Sequence, residues 1–317
     1  MGKKILFIDD THPVLRQELE SLGYSCDEFP GYQRKDFENI IAGYTGIIIR
    51  SKIRLDKAIL DKAVNLKFIG RVGAGMESID VEYARAIGIE CLNSPEGNRD
   101  AVGEHALGML LSLMNHLNRA DQHVKIGKWI REGNRGVEIK GKTIGIIGYG
   151  NMGSSFARKL SGFEANVIAY DKYKSGFSDP FVAEVSMDRI FAESDVLSLH
   201  VPLTDETHYL VDHQYIDSFS KPVWLINTSR GQVVRTDDLI EGLRSGKVAG
   251  AALDVLEYEK TSFEEMDPGN LPESLKNLFS FENVILSPHI AGWTLESKYK
   301  LSKVLADKIR NLPESSR

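Results

Sequence analysis

Residues suited to chemistry gather at the ends of short apolar runs. Gly148-Tyr149-Gly150-Asn151-Met152-Gly153 follows the run Ile144–Ile147 and precedes Ser154, Phe156, Ala157 and Leu160, which are spaced as on a helix. In such a turn Gly148 permits the tight bend, Gly150 lets the backbone approach a pyrophosphate, and Gly153 allows close helix–strand contact. The helix start at Asn151 and Met152 then offers N–H groups and partial positive charge to phosphates. Asp171 ends the next apolar run, Ile168-Ala169-Tyr170. An acid about 20 residues past the glycines hydrogen-bonds a ribose 2′-hydroxyl and repels a 2′-phosphate. The set predicts a bound dinucleotide, NAD before NADP, although Lys172 and Lys174 nearby soften that preference.

Three more segments end apolar runs: Asn227-Thr228-Ser229-Arg230-Gly231, Asp254-Val255-Leu256-Glu257-Tyr258-Glu259 and Ser287-Pro288-His289-Ile290-Ala291-Gly292. Ligands of doubly wound sheets bind beyond the carboxyl ends of the strands. Arg230 therefore points toward the crevice, where its fork suits a carboxylate. Of the eight histidines, His289 and His200 lie at such ends. His289 is a candidate proton carrier near neutral pH. His200, followed by Val201-Pro202, reads as structural; His105, His116 and His123 fall on or near a long helix, where solvent or interface roles are expected. Glu257 and Glu259 both qualify by position as the carboxylate that orients His289, and spacing does not choose between them.

The elements that must position these residues alternate between strand and helix. Lys3–Ile8, Gly46–Arg50, Leu66–Gly70 and Gly88–Leu92 read as strands, with a helix over Pro13–Leu22. Gly46-Ile47-Ile48-Ile49 is apolar without alternation, as in a parallel sheet covered on both faces. A long helix runs from about Asp100, its candidate cap, to Leu117. Six further runs follow, at Ile144–Ile147, Val167–Tyr170, Val196–His200, Val223–Asn227, Gly250–Leu253 and Val284–Leu286. This is the pattern of an α/β chain with two doubly wound parallel-sheet domains. The boundary is expected near residue 100. The tail from Gly292 has helical spacing and no strand, so it is expected to return to the first domain.

Composition narrows the classes. With 317 residues, 42% hydrophobic and 26% charged, the chain suits two globular domains, each with its own core. A net charge of −6 argues against a generic nucleic-acid binder. Two cysteines, Cys26 and Cys91, exclude a disulfide framework and a thiolate metal site, so a cytoplasmic protein with no metal is expected. Neither a signal-peptide core after Met1 nor an apolar run long enough to span a bilayer is visible. Asp9-Asp10 after the first strand invites a receiver-type reading, but Arg50 stands where a phosphoacceptor Asp would be needed.

Taken together, the glycine turn with Asp171, Asn227–Gly231, Asp254 with Glu259, and Ser287–Gly292 resemble the D-isomer-specific 2-hydroxyacid dehydrogenases over nearly the whole chain. Gly70-Arg71-Val72-Gly73-Ala74-Gly75 resembles that family's substrate loop, and Gly103-Glu104-His105-Ala106-Leu107 its interdomain helix, which helps form a dimer. The resemblance implies a flavodoxin-like substrate domain (1–99 and 292–317) and a Rossmann dinucleotide-binding domain (100–291). It also implies a catalytic set of Arg230, Glu259 and His289, the acid five positions beyond Asp254 being the partner of His289. In that reading His289 takes the hydroxyl proton, Glu259 orients it, and Arg230 binds the carboxylate. Cofactor contacts are implied for Ala74, Gly148, Gly150, Asn151, Met152, Gly153, Asp171, Pro202, Thr207, Thr228, Ser229, Asp254 and Gly292. Substrate contacts are implied for Arg50, Ser51, Arg71, Val72 and Gly73.

Arg50-Ser51-Lys52 with Arg71 resembles the 3-phosphoglycerate dehydrogenase branch, and cationic groups beside the carboxylate loop suit a phosphorylated acid, since arginine matches phosphate bidentately. The expected reaction is 3-phosphoglycerate to 3-phosphohydroxypyruvate, in serine biosynthesis. The alternatives are a glyoxylate or hydroxypyruvate reductase, another D-2-hydroxyacid dehydrogenase such as one for lactate, or an NAD(H)-sensing corepressor-like protein that keeps the same residues. Two departures from the family stand out: Lys260 replaces a usual proline, and a polar insertion spans Thr261 to Asn277. Serine feedback through an appended regulatory domain is not expected.

Overall fold

Strand pairing is parallel throughout the computed structural model, which describes residues 3–259 and 268–313. The chain forms two units, residues 3–99 with 293–313 and residues 100–259 with 268–292.

The first unit is a five-stranded sheet of β1 (Lys4–Phe7), β2 (Ser25–Glu28), β3 (Gly46–Ile49), β4 (Phe68–Arg71) and β5 (Glu90–Asn93), in the flavodoxin-like order β2-β1-β3-β4-β5. Successive side chains of a strand alternate between faces. Leu6, Ile47 and Ile69 pack with Phe37, Ile59 and Leu60 on one face, and Ile5, Phe7, Ile48 and Phe68 pack with Leu15 and Leu19 on the other. Both faces are covered, so the runs read as uniformly apolar. The helix Leu295–Arg310 adds Leu305, Ala306 and Ile309 to the second face. β2, with sequence Ser-Cys-Asp-Glu, has no apolar run because it is a half-exposed edge strand.

The second unit is a seven-stranded sheet of β6 (Thr143–Ile147), β7 (Asn166–Tyr170), β8 (Ala183–Glu184), β9 (Val196–Leu199), β10 (Val223–Asn227), β11 (Val248–Leu253) and β12 (Val284–Leu286). Its order is β12-β11-β10-β9-β6-β7-β8. The two-residue edge strand β8 is too short to leave a periodic signal. β6 lies between β7 and β9, so the direction of winding reverses there, and crevices at such switch points hold ligands.

The long helix spans Arg99–Met114, so Asp100 lies in its first turn instead of capping it. It packs Ala106, Met109, Leu110 and Leu113 against Ile144, Ile146 and Phe156. It stops short of Leu117 because His116 takes a left-handed backbone, φ 53°, from which a second helix, Leu117–Lys125, departs. Lys260, and residues 261–267 of the polar insertion, lie outside the described residues. Its end runs into the helix Glu273–Phe279, where Leu275, and Leu278 just past the insertion, are fully buried in the core. No helix among the described residues is long and apolar enough to cross a membrane.

Candidate functional site

In the second unit the chemistry-bearing segments leave the carboxyl ends of adjacent strands. Gly148 follows β6, Asp171 follows β7, His200 follows β9, Thr228 follows β10, Asp254 follows β11 and Ser287 follows β12. Gly148 sits at φ 88°, and a Cβ on it would lie 2.5 Å from the carbonyl oxygen of His200. Gly150 caps the helix Asn151–Lys159 without a side chain, and a Cβ there would project into open space. A larger residue at 150 would occupy the room through which a ligand reaches the helix N–H groups. Asp171 accepts the Tyr149 N–H at 2.8 Å and the Tyr173 N–H at 2.9 Å, which fixes it beside the glycine turn. A cavity of about 350 Å³ opens here, lined by Tyr149, Gly150, Asn151, Ser154, Lys174 and Phe177 among others.

The loop after β9 brings Pro202 and Thr207 together, the Thr207 hydroxyl donating to the Pro202 carbonyl at 2.6 Å. Glu206 reaches back to Lys172 at 2.8 Å and joins this loop to the one after β7. Beyond β10, Asn227 Oδ1 accepts the backbone N–H of Ser229 at 3.0 Å and its hydroxyl at 2.7 Å, and Asn227 Nδ2 donates to the Arg230 carbonyl at 2.9 Å. Asn227, which the sequence offered merely as part of a motif, thus shapes the turn that presents Thr228, Ser229 and Arg230. Thr228 Oγ1 is buried without a protein partner among the described residues.

The two acids that position alone left open have different surroundings. Glu257 accepts the Tyr209 hydroxyl at 2.6 Å and the Thr236 N–H at 2.8 Å, so it braces the loop. Glu259 Oε2 lies 2.7 Å from His289 Nδ1, while its Oε1 accepts the Leu256 N–H at 2.5 Å. His289 has a left-handed backbone, φ 55°.

Asp254 is fully buried. Its Oδ1 accepts the Ser287 hydroxyl at 2.5 Å and the Ile290 N–H at 2.9 Å, and its Oδ2 accepts the Ala291 N–H at 2.8 Å, next to Gly292. Burial opposes its charge, but His105, Ser287 and these N–H groups outweigh burial and hold its carboxyl below the usual value. His105, for which the sequence suggested a solvent or interface role, joins this cluster within the unit. Its Nε2 lies 3.1 Å from Ser287 Oγ and 3.4 Å from Asp254 Oδ1. The face of the helix it occupies could be read from sequence, but its partners about 150 and 180 residues away could not. His200 is structural, with Nε2 2.9 Å from Ser198 Oγ.

The candidate substrate residues of the first unit have their own frame. Asp9 Oδ2 accepts the N–H groups of Arg50 (2.6 Å), Ser51 (3.2 Å) and Lys52 (3.4 Å). Arg50 stacks its guanidinium 4.4 Å from the Trp293 ring centroid, whereas Lys52 turns its amine to the Pro30 carbonyl at 2.7 Å. Arg71 ends β4 and folds its side chain over Gly73, whose φ of 150° and missing Cβ leave the room. Val72 is buried. Ser94 Oγ accepts the Gly73 N–H at 3.2 Å, and Asn93 Nδ2 donates to the Ala74 carbonyl at 2.6 Å. Asp9, Asn93, Ser94 and Trp293 were not singled out for this role from sequence; contacts between separate segments reveal them.

A family model described as "D-isomer specific 2-hydroxyacid dehydrogenase, NAD binding domain" matches residues 107–291. The chain is 36% identical over 292 residues to a D-3-phosphoglycerate dehydrogenase of Archaeoglobus fulgidus, covering 92% of this chain but 53% of that protein, about half its length. It is 35% identical over 277 residues to a hydroxypyruvate reductase of Thermotoga maritima, covering 87% of each. Among solved structures, the D-lactate dehydrogenase of Aquifex aeolicus, complexed with NAD and lactic acid, superposes with a TM-score of 0.80 at 29% identity, over 96% of this chain and 94% of that one.

Proposed function

Because the chain belongs to the D-isomer-specific 2-hydroxyacid dehydrogenases, and so to the NAD-dependent oxidoreductases of D-2-hydroxy acids, we propose that Arg230, Glu259 and His289 carry its reaction and that its substrate is 3-phosphoglycerate. The residues of the second unit fit NAD. Gly150 leaves the helix N-terminus open, Asp171 is held beside the glycine turn, where a ribose hydroxyl would meet it, and Thr228 Oγ1 is a buried hydroxyl without a partner among the described residues. NAD, when bound, supplies the hydride acceptor.

Glu259 meets Nδ1 of His289, and in this reading Nε2 is the nitrogen that takes the proton from the substrate hydroxyl. Glu259 fixes the ring and balances the imidazolium that forms. Arg230 grips the substrate carboxylate. Asp254 and Gly292 are assigned to the cofactor side through the turn they build, as are Pro202, Thr207 and Ser229 through theirs. The substrate contacts assigned to the first unit are Arg50, Ser51, Arg71, Val72 and Gly73, with Ala74 on the cofactor side.

One observation carries the choice of substrate. Among the described residues no carboxylate pairs with the Arg50 guanidinium, whose flat face rests on Trp293 and whose fork stays available to a second anionic group. A phosphorylated acid supplies such a group and would place the chain in serine biosynthesis. The second reading is reduction of hydroxypyruvate, favoured by the Thermotoga relative, which matches this chain across 87% of both lengths. NADH formation with a panel of D-2-hydroxy acids, alongside reduction of phosphohydroxypyruvate and hydroxypyruvate, separates the two. Preference for the phosphorylated pair supports the first reading, and turnover of unphosphorylated acids alone supports the second. NADH binding without turnover on any acid points to a sensor.

A homodimer is part of this reading. It is supported by the apolar residues exposed along and after the second helix, Leu117, Val124, Ile126 and Trp129. Light scattering at micromolar concentration tests it, and a monomer mass would reject it.

A further inference from the structure

We infer that His105 is a positioning residue for His289, acting through Ser287 and Asp254; this rests on the reading of His289 as the proton acceptor. The His289 turn begins at Ser287, immediately after β12, and its conformation is unusual for a non-glycine residue, φ 55°. A side chain in that region carries a steric cost, so the surroundings must define the turn. They do so through Asp254. Its carbonyl accepts the His289 N–H at 2.7 Å, and its carboxylate accepts the Ser287 hydroxyl and the N–H groups of Ile290 and Ala291.

His105 completes this group from a different element. It stands on the helix Arg99–Met114, next to the fully buried Ala106, and is the one side chain in the cluster that belongs to neither the β11 nor the β12 end. Hydrogen-bond accounting fixes its role. Ser287 has a single hydroxyl hydrogen and, at 2.5 Å, gives it to Asp254 Oδ1, so Ser287 Oγ can only accept from His105. Nε2 of His105 must then carry its hydrogen, which also faces the Asp254 carboxylate at 3.4 Å. The imidazole thereby holds the serine hydroxyl toward the carboxylate and adds a compensating dipole to a buried charge. Without it, Ser287 can rotate away, Asp254 loses a partner, and the turn that aims His289 at Glu259 loosens.

The test compares His105→Ala with His105→Gln in the full chain, since the glutamine amide nitrogen can reach the position of Nε2. His105→Ala is expected to lower kcat about tenfold, as for loss of a hydrogen bond in a charged network, with KM for cofactor and acid within about twofold. The ¹⁵N resonance of His289 Nδ1, which reports its bond to Glu259, should shift in His105→Ala. His105→Gln should recover most of the kcat and return the resonance. Unchanged kcat overturns the inference, and so does an unmoved resonance. Equal losses in both variants that track a lowered melting temperature overturn it as well, since they mark a merely structural residue. If the wild-type chain oxidises no D-2-hydroxy acid, the dehydrogenase reading fails on its own, and the His289 resonance still decides the role of His105.

Discussion

His289 Nδ1 and Glu259 Oε2 meet at 2.7 Å across thirty residues of sequence, and His289 reaches that contact from a left-handed backbone. The contact fixes the orientation of the imidazole that is proposed to take the substrate proton. His289→Ala should therefore reduce kcat by roughly 10²- to 10⁴-fold, the usual contribution of a positioned proton carrier. Glu259→Gln keeps the shape but removes the charge, and a charge-assisted hydrogen bond of this kind corresponds to roughly a ten- to hundredfold loss. Steady-state turnover of each variant checks both expectations; a Glu259→Gln protein with wild-type kcat would remove Glu259 from the mechanism.

A second prediction concerns the glycine beside Arg230. A Cβ on Gly231 would lie 1.9 Å from the Leu256 carbonyl oxygen and 2.0 Å from its carbon. That backbone cannot simply withdraw, because the Leu256 N–H is held by Glu259 Oε1 at 2.5 Å. Gly231→Ala should thus displace the loops of Arg230 and Glu259 together. It should cost about 1–3 kcal/mol of stability, as overpacking does, and most of the activity. Gly162→Ala is the control, since a Cβ there meets nothing within 4 Å. Equal melting temperatures and equal kcat for the two variants would contradict the proposed clash.

Much of this site was legible in the sequence because its chemistry sits where the strands end. Glycines after an apolar run, an acid after the next, and arginine and histidine after later ones are local signals, and a parallel sheet gathers them on one edge. What escaped is what depends on contact across the chain. The sequence placed His105 on a helix but could not show Ser287 and Asp254 beside it. Position alone left Glu257 and Glu259 equivalent, because two residues' difference in a loop carries no directional information, and it took the family resemblance to choose Glu259. β2 and β8 were missed for a different reason: edge strands this polar or this short have no apolar periodicity to read. The stretch 261–277 was read as a polar insertion, yet its Leu275 is buried in the core, with Leu278 just beyond it.

Substrate choice can be tested through Trp293. The Arg50 guanidinium lies 4.4 Å from its ring centroid, and the indole is 65% exposed. A cation–π contact at an exposed site contributes about 0.5–1 kcal/mol, which corresponds to a two- to fivefold effect on affinity. Trp293→Leu should raise KM for phosphohydroxypyruvate by roughly that factor and leave hydroxypyruvate nearly unaffected. Arg50→Leu, which removes a charged hydrogen-bonding group, should raise it roughly ten- to hundredfold. Parallel changes for both acids would show that Arg50 does not read the phosphate.

His200 predicts a pH dependence of stability. Its Nδ1 is buried with no partner among the described residues, and burial pushes its pKa down from 6.5 to about 4. Between those values the unfolded chain binds a proton that the folded chain does not. Its contribution is therefore fully present above pH 6.5 and is lost as pH falls through 4. From pH 7 to pH 5 the loss should reach at most about 2 kcal/mol, because His200 keeps some accessible surface. Carboxylates titrate in the same range, so the informative quantity is the difference between wild type and His200→Gln in urea denaturation at the two pH values. The glutamine amide can still meet Ser198 but takes up no proton, so the variant should lose less stability on acidification. Parallel losses in the two proteins would mean that His200 is protonated in the folded chain as readily as in the unfolded one.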